Sequence, residues 1–378
     1  MTWLLEPFIP RRGQGHQPDF LLLASVGILL ILGLFFLSSA SSTAAFYKYG
    51  DSYFYVKQQL THGLLFGLII FYIAVRIDYQ FYRKIAPVFL ILSFILLSLV
   101  LITNLSNDYG TARSWIVFGS YSFQPSELVK LLFILFLAAW FERLGQRIKY
   151  FSSGTLPFLI ILGILSFLIA WQPDIGTLLI IVLVALVMYW LAGASWRHLG
   201  AILALGAILF TILIKTAPYR LNRLVAWLNP NIDPEGIGWQ IKQSIIAVGS
   251  GGWLGLGLGS SRQKSYLPQP ANDSIFSIIA EEMGFIFCLF FIALFVFLVY
   301  RGFKIARNAP DVLAKLTALG ISSWLAIQVL INIGGMLQVM PLTGVPLSFI
   351  SLGGSNLVVT LAAVGIMTNI SKFSSYEA

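Results

Sequence analysis

Three of the stretches in which a carboxylate follows a proline open the fourth, sixth and eighth apolar segments: Gln124-Pro125-Ser126-Glu127, Gln172-Pro173-Asp174 and Gln269-Pro270-Ala271-Asn272-Asp273. Proline fits the first turn of a helix, and an acid there accepts free N–H groups and complements the dipole, so each stretch also serves as an ordinary helix start. Three acids at one end of one bundle can converge on a shared cavity, where a carboxylate acts as a general base. Glu127 and Lys130 lie three apart and share a helix face. They read either as an internal ion pair or as an anchor for an anionic substrate group, and Arg113 precedes the same helix. Arg220 and Arg223 lie off the apolar stripe of Leu221, Leu224, Val225 and Leu228. They suit lipid headgroups or, through their forked donors, a pyrophosphate.

The elements that must position these groups are membrane spans. The chain is 58% hydrophobic and 10% charged, far from the roughly one-quarter charge of soluble domains. Ten segments of about 20 apolar residues fall near 20–40, 58–76, 85–103, 127–143, 156–171, 175–193, 198–215, 275–301, 313–339 and 348–370. The fold class is therefore an all-α integral membrane protein, one domain over 1–378. Arginine and lysine concentrate on alternate connections, which puts both termini, 1–19 and 371–378, in the cytoplasm. The long segment 216–275 then lies outside, carrying interfacial amphipathic helices. The arginines before the first apolar run resemble a signal peptide in outline, but an uncleaved first span gives the even count that fits every later loop. Helices two, four, six, eight and ten then begin at the outer face, beside the three acids.

Other chemistries are poorly served. One cysteine, Cys288, and three histidines leave no thiolate cluster and no zinc set. The net charge of +9 sits in short loops, which favours anionic membrane lipids over nucleic acid. The run Gly249–Gly259 matches neither a dinucleotide fingerprint nor a P-loop, and its glycines read as tight turns and close backbone approach. The nearly uncharged stretch from Asn332 to Asn356 reads as packing first and substrate contact second. Glu281 and Glu282, inside a span, carry no partner visible in sequence.

In this order, the landmarks resemble the SEDS family (shape, elongation, division and sporulation), whose members include FtsW and RodA. The matching pieces are Gln124 to Leu128 with Lys130, Gln172 to Thr177, Tyr219-Arg220 with Arg223, Gly238-Trp239-Gln240 with Gln243-Ser244, and Gly249 to Gly252. They continue through Tyr266-Leu267-Pro268, Glu281 to Gly284, Asn332-Ile333-Gly334 and the region Pro341 to Ser355. The Gly257 to Lys264 stretch looks more like the FtsW branch.

The resemblance implies a ten-helix enzyme that polymerises lipid II on the outer face and works with a class B penicillin-binding protein. It implies Asp273 as the catalytic carboxylate, in Ala271-Asn272-Asp273-Ser274-Ile275-Phe276 where the family segment reads close to His-Thr-Asp-Phe-Ile-Phe. Glu127, Lys130, Arg113, Asp174, Arg220, Arg223, Gln243, Ser244 and Lys264 are the expected substrate-binding set. No cofactor is required by the sequence, although Asp273 could hold a divalent cation such as magnesium or manganese. Three rivals remain: a RodA-type elongation polymerase in place of a division enzyme, a lipid II flippase or other lipid transporter, and a scaffold that recruits a crosslinking partner.

Overall fold

The computed structural model describes residues 16–102, 114–118, 121–215, 218–233 and 235–374. Ten long helices cross the bundle. They are α1 (Phe20–Tyr49), α2 (Phe54–Arg76), α3 (Phe81–Ile102), α4 (Pro125–Leu144), α5 (Phe151–Trp171), α6 (Ile175–Leu191) and α7 (Trp196–Lys215), then α10 (Ile275–Arg307), α11 (Val312–Met336) and α12 (Gly354–Ser371). Eight of them are long and apolar enough to span a bilayer. The other two coincide with expected spans: α6 has 17 residues, and α4 carries Glu127, Lys130, Glu142 and Arg143.

Segment 216–275 is less of a loop than its polarity suggests. It contains α8 (Pro218–Leu228) and α9 (Ile237–Ser250), the two amphipathic helices expected from Leu221, Leu224, Val225 and Leu228 and from Ile241, Ile245 and Val248. Several span limits also shift. Helix α1 runs to Tyr49, where Gly50 closes it at φ 71°, a left-handed conformation glycine adopts without a Cβ clash. The last span starts at Gly354 rather than near 348. Residues 337–353 are consequently an irregular segment folded back over the bundle.

Position in the bundle follows polarity. The apolar window of α7 is 11% buried and lipid-facing, whereas those of α11 and α12 are 78% and 83% buried. Those two central helices, with α4, carry amides and charges that hydrocarbon would penalise, so they pack against protein. Helices start on caps that satisfy their free N–H groups: Asp19 accepts from Leu22, Asp174 from Thr177 and Asp311 from Ala314. A two-stranded hairpin, β1 (Ile116–Phe118) with β2 (Tyr121–Phe123), leads into α4, pairing Val117 with Ser122.

Candidate active site

Asp273 sits immediately before α10, with Ser274 as its cap residue. Its Oδ2 accepts from Gln240 Nε2 on α9 at 3.3 Å, and the same amide donates to Ser274 Oγ at 3.2 Å. The other oxygen, Oδ1, is buried with no hydrogen-bond partner. The backbone around it is pinned by the folded-back segment. Asn332 Nδ2 on α11 donates to the Asp273 carbonyl at 2.9 Å and to the Val345 carbonyl at 2.8 Å. Ser351 Oγ donates to the Asn272 carbonyl at 2.5 Å, and Leu352 N to the Ala271 carbonyl at 2.8 Å. Gly344, at φ 72°, lets the segment turn beside Asp273 Oδ2.

Burial pushes the Asp273 carboxyl above the ordinary carboxylate range, while the Gln240 hydrogen bond and the nearby positive charge of Arg223 pull it back down. An orphaned carboxylate oxygen with raised proton affinity is suited to taking a proton near neutral pH. Arg223, on α8, also donates to the Leu342 carbonyl at 3.5 Å, so the guanidinium whose charge acts on Asp273 is tied to the folded-back segment.

A second polar cluster lies where α4 begins. Gln124 Nε2 and Ser126 Oγ each donate to Asp174 Oδ2 at 3.2 Å, which joins two of the three proline-linked acids. Glu127 and Lys130 form an ion pair at 2.8 Å with side chains 2% and 1% exposed. Glu127 also accepts from Asn356 at 2.6 Å; Lys130 donates to Gln328 at 2.9 Å and lies 5.1 Å from the Trp324 ring centroid. Gln328 in turn donates to the Pro346 carbonyl at 2.9 Å. Since Val345 is held by Asn332, neighbouring residues of the folded-back segment tie the Glu127 cluster to Asp273. The three acids thus belong to one connected region, with Lys130 enclosed in protein rather than open to a ligand.

Other expected site residues fall elsewhere. Arg220 donates to the Leu213 and Ala170 carbonyls at 3.0 and 3.2 Å, closing the ends of α7 and α5. Lys264 donates to the Gly259 carbonyl at 2.8 Å inside its own loop. Gln243 and Ser244 are buried on α9, with Ser244 Oγ 3.6 Å from Met336 Sδ. Arg113 lies outside the described residues.

Glu281 and Glu282 resolve as structural. Glu281 accepts from Ser261 Oγ and from the Arg262 and Gln263 amides at 2.5, 3.1 and 3.2 Å. Glu282 accepts from Ser39 Oγ on α1 at 2.6 Å. They anchor the glycine-rich run, which packs against α10 where Gly284 breaks the helix at φ 76°. A Cβ at Gly251 would overlap the Ala280 carbonyl, the close backbone approach expected of this run.

Among the described residues, no three His, Cys, Asp or Glu side chains gather into a metal site. Asp273 Oδ1, Asn272 Oδ1 and Asn332 Oδ1 are all buried acceptors without partners. Hard oxygens with a single carboxylate fit a magnesium ion shared with substrate phosphates, not one caged by protein.

Sequence reasoning passed over Gln240, Gln328 and Asn332 as individual site residues. Their signal was slight: Gln240 and Asn332 are neutral amides within motifs, Gln328 lies outside any of them, and Gln328 and Asn332 sit on a largely apolar span, where each amide needs a partner.

Comparison with known proteins finds relatives along nearly the whole chain. The family model FtsW/RodA/SpoVE, described as cell cycle protein, matches residues 19–376. The chain is 42% identical to stage V sporulation protein E of Bacillus subtilis (strain 168), over 95% of this chain and 98% of that one. It is 40% identical to the probable peptidoglycan glycosyltransferase FtsW of Trichlorobacter lovleyi, over 93% of each. Among solved structures, a chain from work on structural coordination of polymerization and crosslinking by a peptidoglycan synthase complex superposes with a TM-score of 0.79 at 27% identity. That match covers 96% of this chain and 99% of the other. A mutant of the Thermus thermophilus rod shape determining protein RodA gives 0.70 at 25% identity, covering 95% and 99%.

Proposed function

The chain belongs to the FtsW/RodA/SpoVE family of cell cycle proteins, and from that premise we propose how this peptidoglycan glycosyltransferase works, with Asp273 as its general base. The substrate is lipid II. Asp273 takes the proton from the 4-hydroxyl of the acceptor GlcNAc, and the freed oxygen attacks the anomeric carbon of MurNAc on the growing donor. The bond from that carbon to the pyrophosphate oxygen breaks, and undecaprenyl pyrophosphate leaves with the electron pair. Attack opposite the leaving group inverts an α-linked donor into a β-1,4 linkage, as in inverting glycosidic chemistry with a sugar hydroxyl replacing water.

The observation that carries this reading is the unpartnered, buried Oδ1 of Asp273, on a carboxyl whose proton affinity is raised by burial. Arg223 is the cation placed to offset leaving-group charge. A magnesium ion arriving with the pyrophosphate would add Lewis-acid stabilisation of the same charge. Lys130, being enclosed, positions Glu127, Gln328 and the folded-back segment. The protein sits in the bacterial inner membrane with both termini in the cytoplasm and Asp273 facing outward, partnered by a class B penicillin-binding transpeptidase, at the division septum.

The test is polymerisation of labelled lipid II by purified protein, with and without the transpeptidase, comparing wild type and Asp273→Asn. Strands from wild type and none from the variant support the base assignment. Strands at the wild-type rate from Asp273→Asn would eliminate it. No strands from either protein, with lipid II crossing vesicle bilayers, would instead favour a flippase.

A further inference from the structure

At the end of the bundle opposite Asp273, a cleft of about 400 Å³ opens between α3 and α4. That volume is within the range of small-ligand sites, about 300–1,000 Å³. Its origin is legible in the sequence. Pro87 interrupts α3 and has no N–H for the Arg83 carbonyl four residues back. Ala86 on α3 and Ala139 on α4 present only methyl groups to the cleft. Phe136 and Trp140 form the apolar wall, their rings stacked with centroids 5.7 Å apart.

The mouth is charged. Arg83 pairs with Glu142 at 2.6 Å and lies 3.6 Å from Asp311, and its side chain is still 45% exposed. Arg143, also lining the cleft, is exposed and enters none of the ion pairs found among the described residues. Arg83, Arg143, Glu142 and Asp311 balance in formal charge, and of the two arginines it is Arg143 that enters no ion pair found among the described residues and so keeps its donors open to an anionic group. An apolar slot beside a tryptophan, with arginine at its polar end, matches a lipid whose headgroup carries a phosphate. Tryptophan settles at headgroup depth, and the guanidinium fork fits phosphate oxygens.

We propose that this cleft is a binding site for one anionic phospholipid, its phosphate held by Arg143 and the free donors of Arg83 and an acyl chain laid against Phe136 and Trp140. The selection for negative charge comes from Arg143, and the selection for a lipid over a free anion comes from the apolar slot.

Full-length protein is purified, delipidated in detergent and titrated with phosphatidylglycerol, phosphatidylcholine or inorganic phosphate, and bound species are counted by native mass spectrometry. The expected result is one phosphatidylglycerol retained in preference to phosphatidylcholine. Arg143→Gln should weaken it roughly tenfold, as loss of a charge-assisted contact does. Ala139→Leu should expel it by filling the slot at constant charge, with Ala86→Leu as the alternative if the first variant does not elute as a single helical species. Arg147→Gln, the same charge change outside the cleft, should leave it bound. Equal losses from Arg143→Gln and Arg147→Gln would show only general attraction to a basic face and overturn the proposal. So would retention by Ala139→Leu or Ala86→Leu, or full displacement by millimolar inorganic phosphate.

Discussion

The side-chain amide of Asn332 holds the main chain of Asp273, donating to its carbonyl at 2.9 Å while also gripping Val345 at 2.8 Å. One neutral residue thus holds the backbone of the proposed base and ties it to the folded-back segment. Asn332→Leu removes both bonds and leaves two carbonyls without a donor, at about 1–3 kcal/mol for each buried group. Lipid II turnover should fall by about 10- to 100-fold, since small misplacements of a catalytic group are costly. The loss should appear in kcat more than in KM. A variant with wild-type kcat would show that Asn332 does not position Asp273.

The pH profile reads the electrostatics of the same carboxyl. Asp273 must be ionised to accept a proton, so activity should rise with pH through its pKa, on an acid limb displaced above the ordinary aspartate value of about 3.9. Gln240 and Arg223 both favour the ionised form. Gln240→Leu and Arg223→Gln should therefore each move the limb further to alkaline pH. A shift to acid pH in either variant would contradict the assigned cause.

The same displacement has a consequence for stability. A carboxyl whose pKa is raised on folding favours the folded state fully below its unfolded pKa, and that contribution is lost as pH rises through the folded value. Above the folded-state pKa the ionised, buried carboxylate is a net cost, which Asp273→Asn removes. The variant should gain melting temperature relative to wild type as pH rises through that pKa and lose the gain below it, while its polymerisation rate drops by about 10²- to 10⁴-fold. Thermal melts of the two proteins across a pH series check this, and a difference in melting temperature that does not change with pH would argue against a titrating, buried Asp273.

The spans were legible because hydropathy is a local property. Every expected segment overlaps a helix, and the errors lie at ends such as Tyr49 and Gly354, where a glycine or a fold-back decides the limit. Asp273 was singled out as a candidate through its motif. Its partners were not: Gln240 lies 33 residues away and Asn332 59 residues away, and an amide on an apolar helix announces neither its direction nor its acceptor. Glu281 resisted interpretation for another reason, since two of its three donors are backbone N–H groups, which any sequence supplies.

Glu127 and Lys130 separate structure from chemistry most sharply, because both readings of the pair predict damage from single substitutions. The two side chains are enclosed and satisfied by Asn356, Gln328 and each other. Removing one partner strands the other charge, at a cost of about 3–5 kcal/mol. Glu127→Gln and Lys130→Met should therefore each lower the melting temperature and the yield of folded protein. The double variant Glu127→Gln/Lys130→Met strands no charge and keeps an acceptor for Asn356, so much of the stability should return. If the pair serves only to position the folded-back segment, polymerisation should recover along with stability. Recovery of the fold without recovery of strand synthesis would instead assign one of the two charges a direct part in handling lipid II. The double-mutant cycle, read in melting temperature and in initial rate, distinguishes these outcomes.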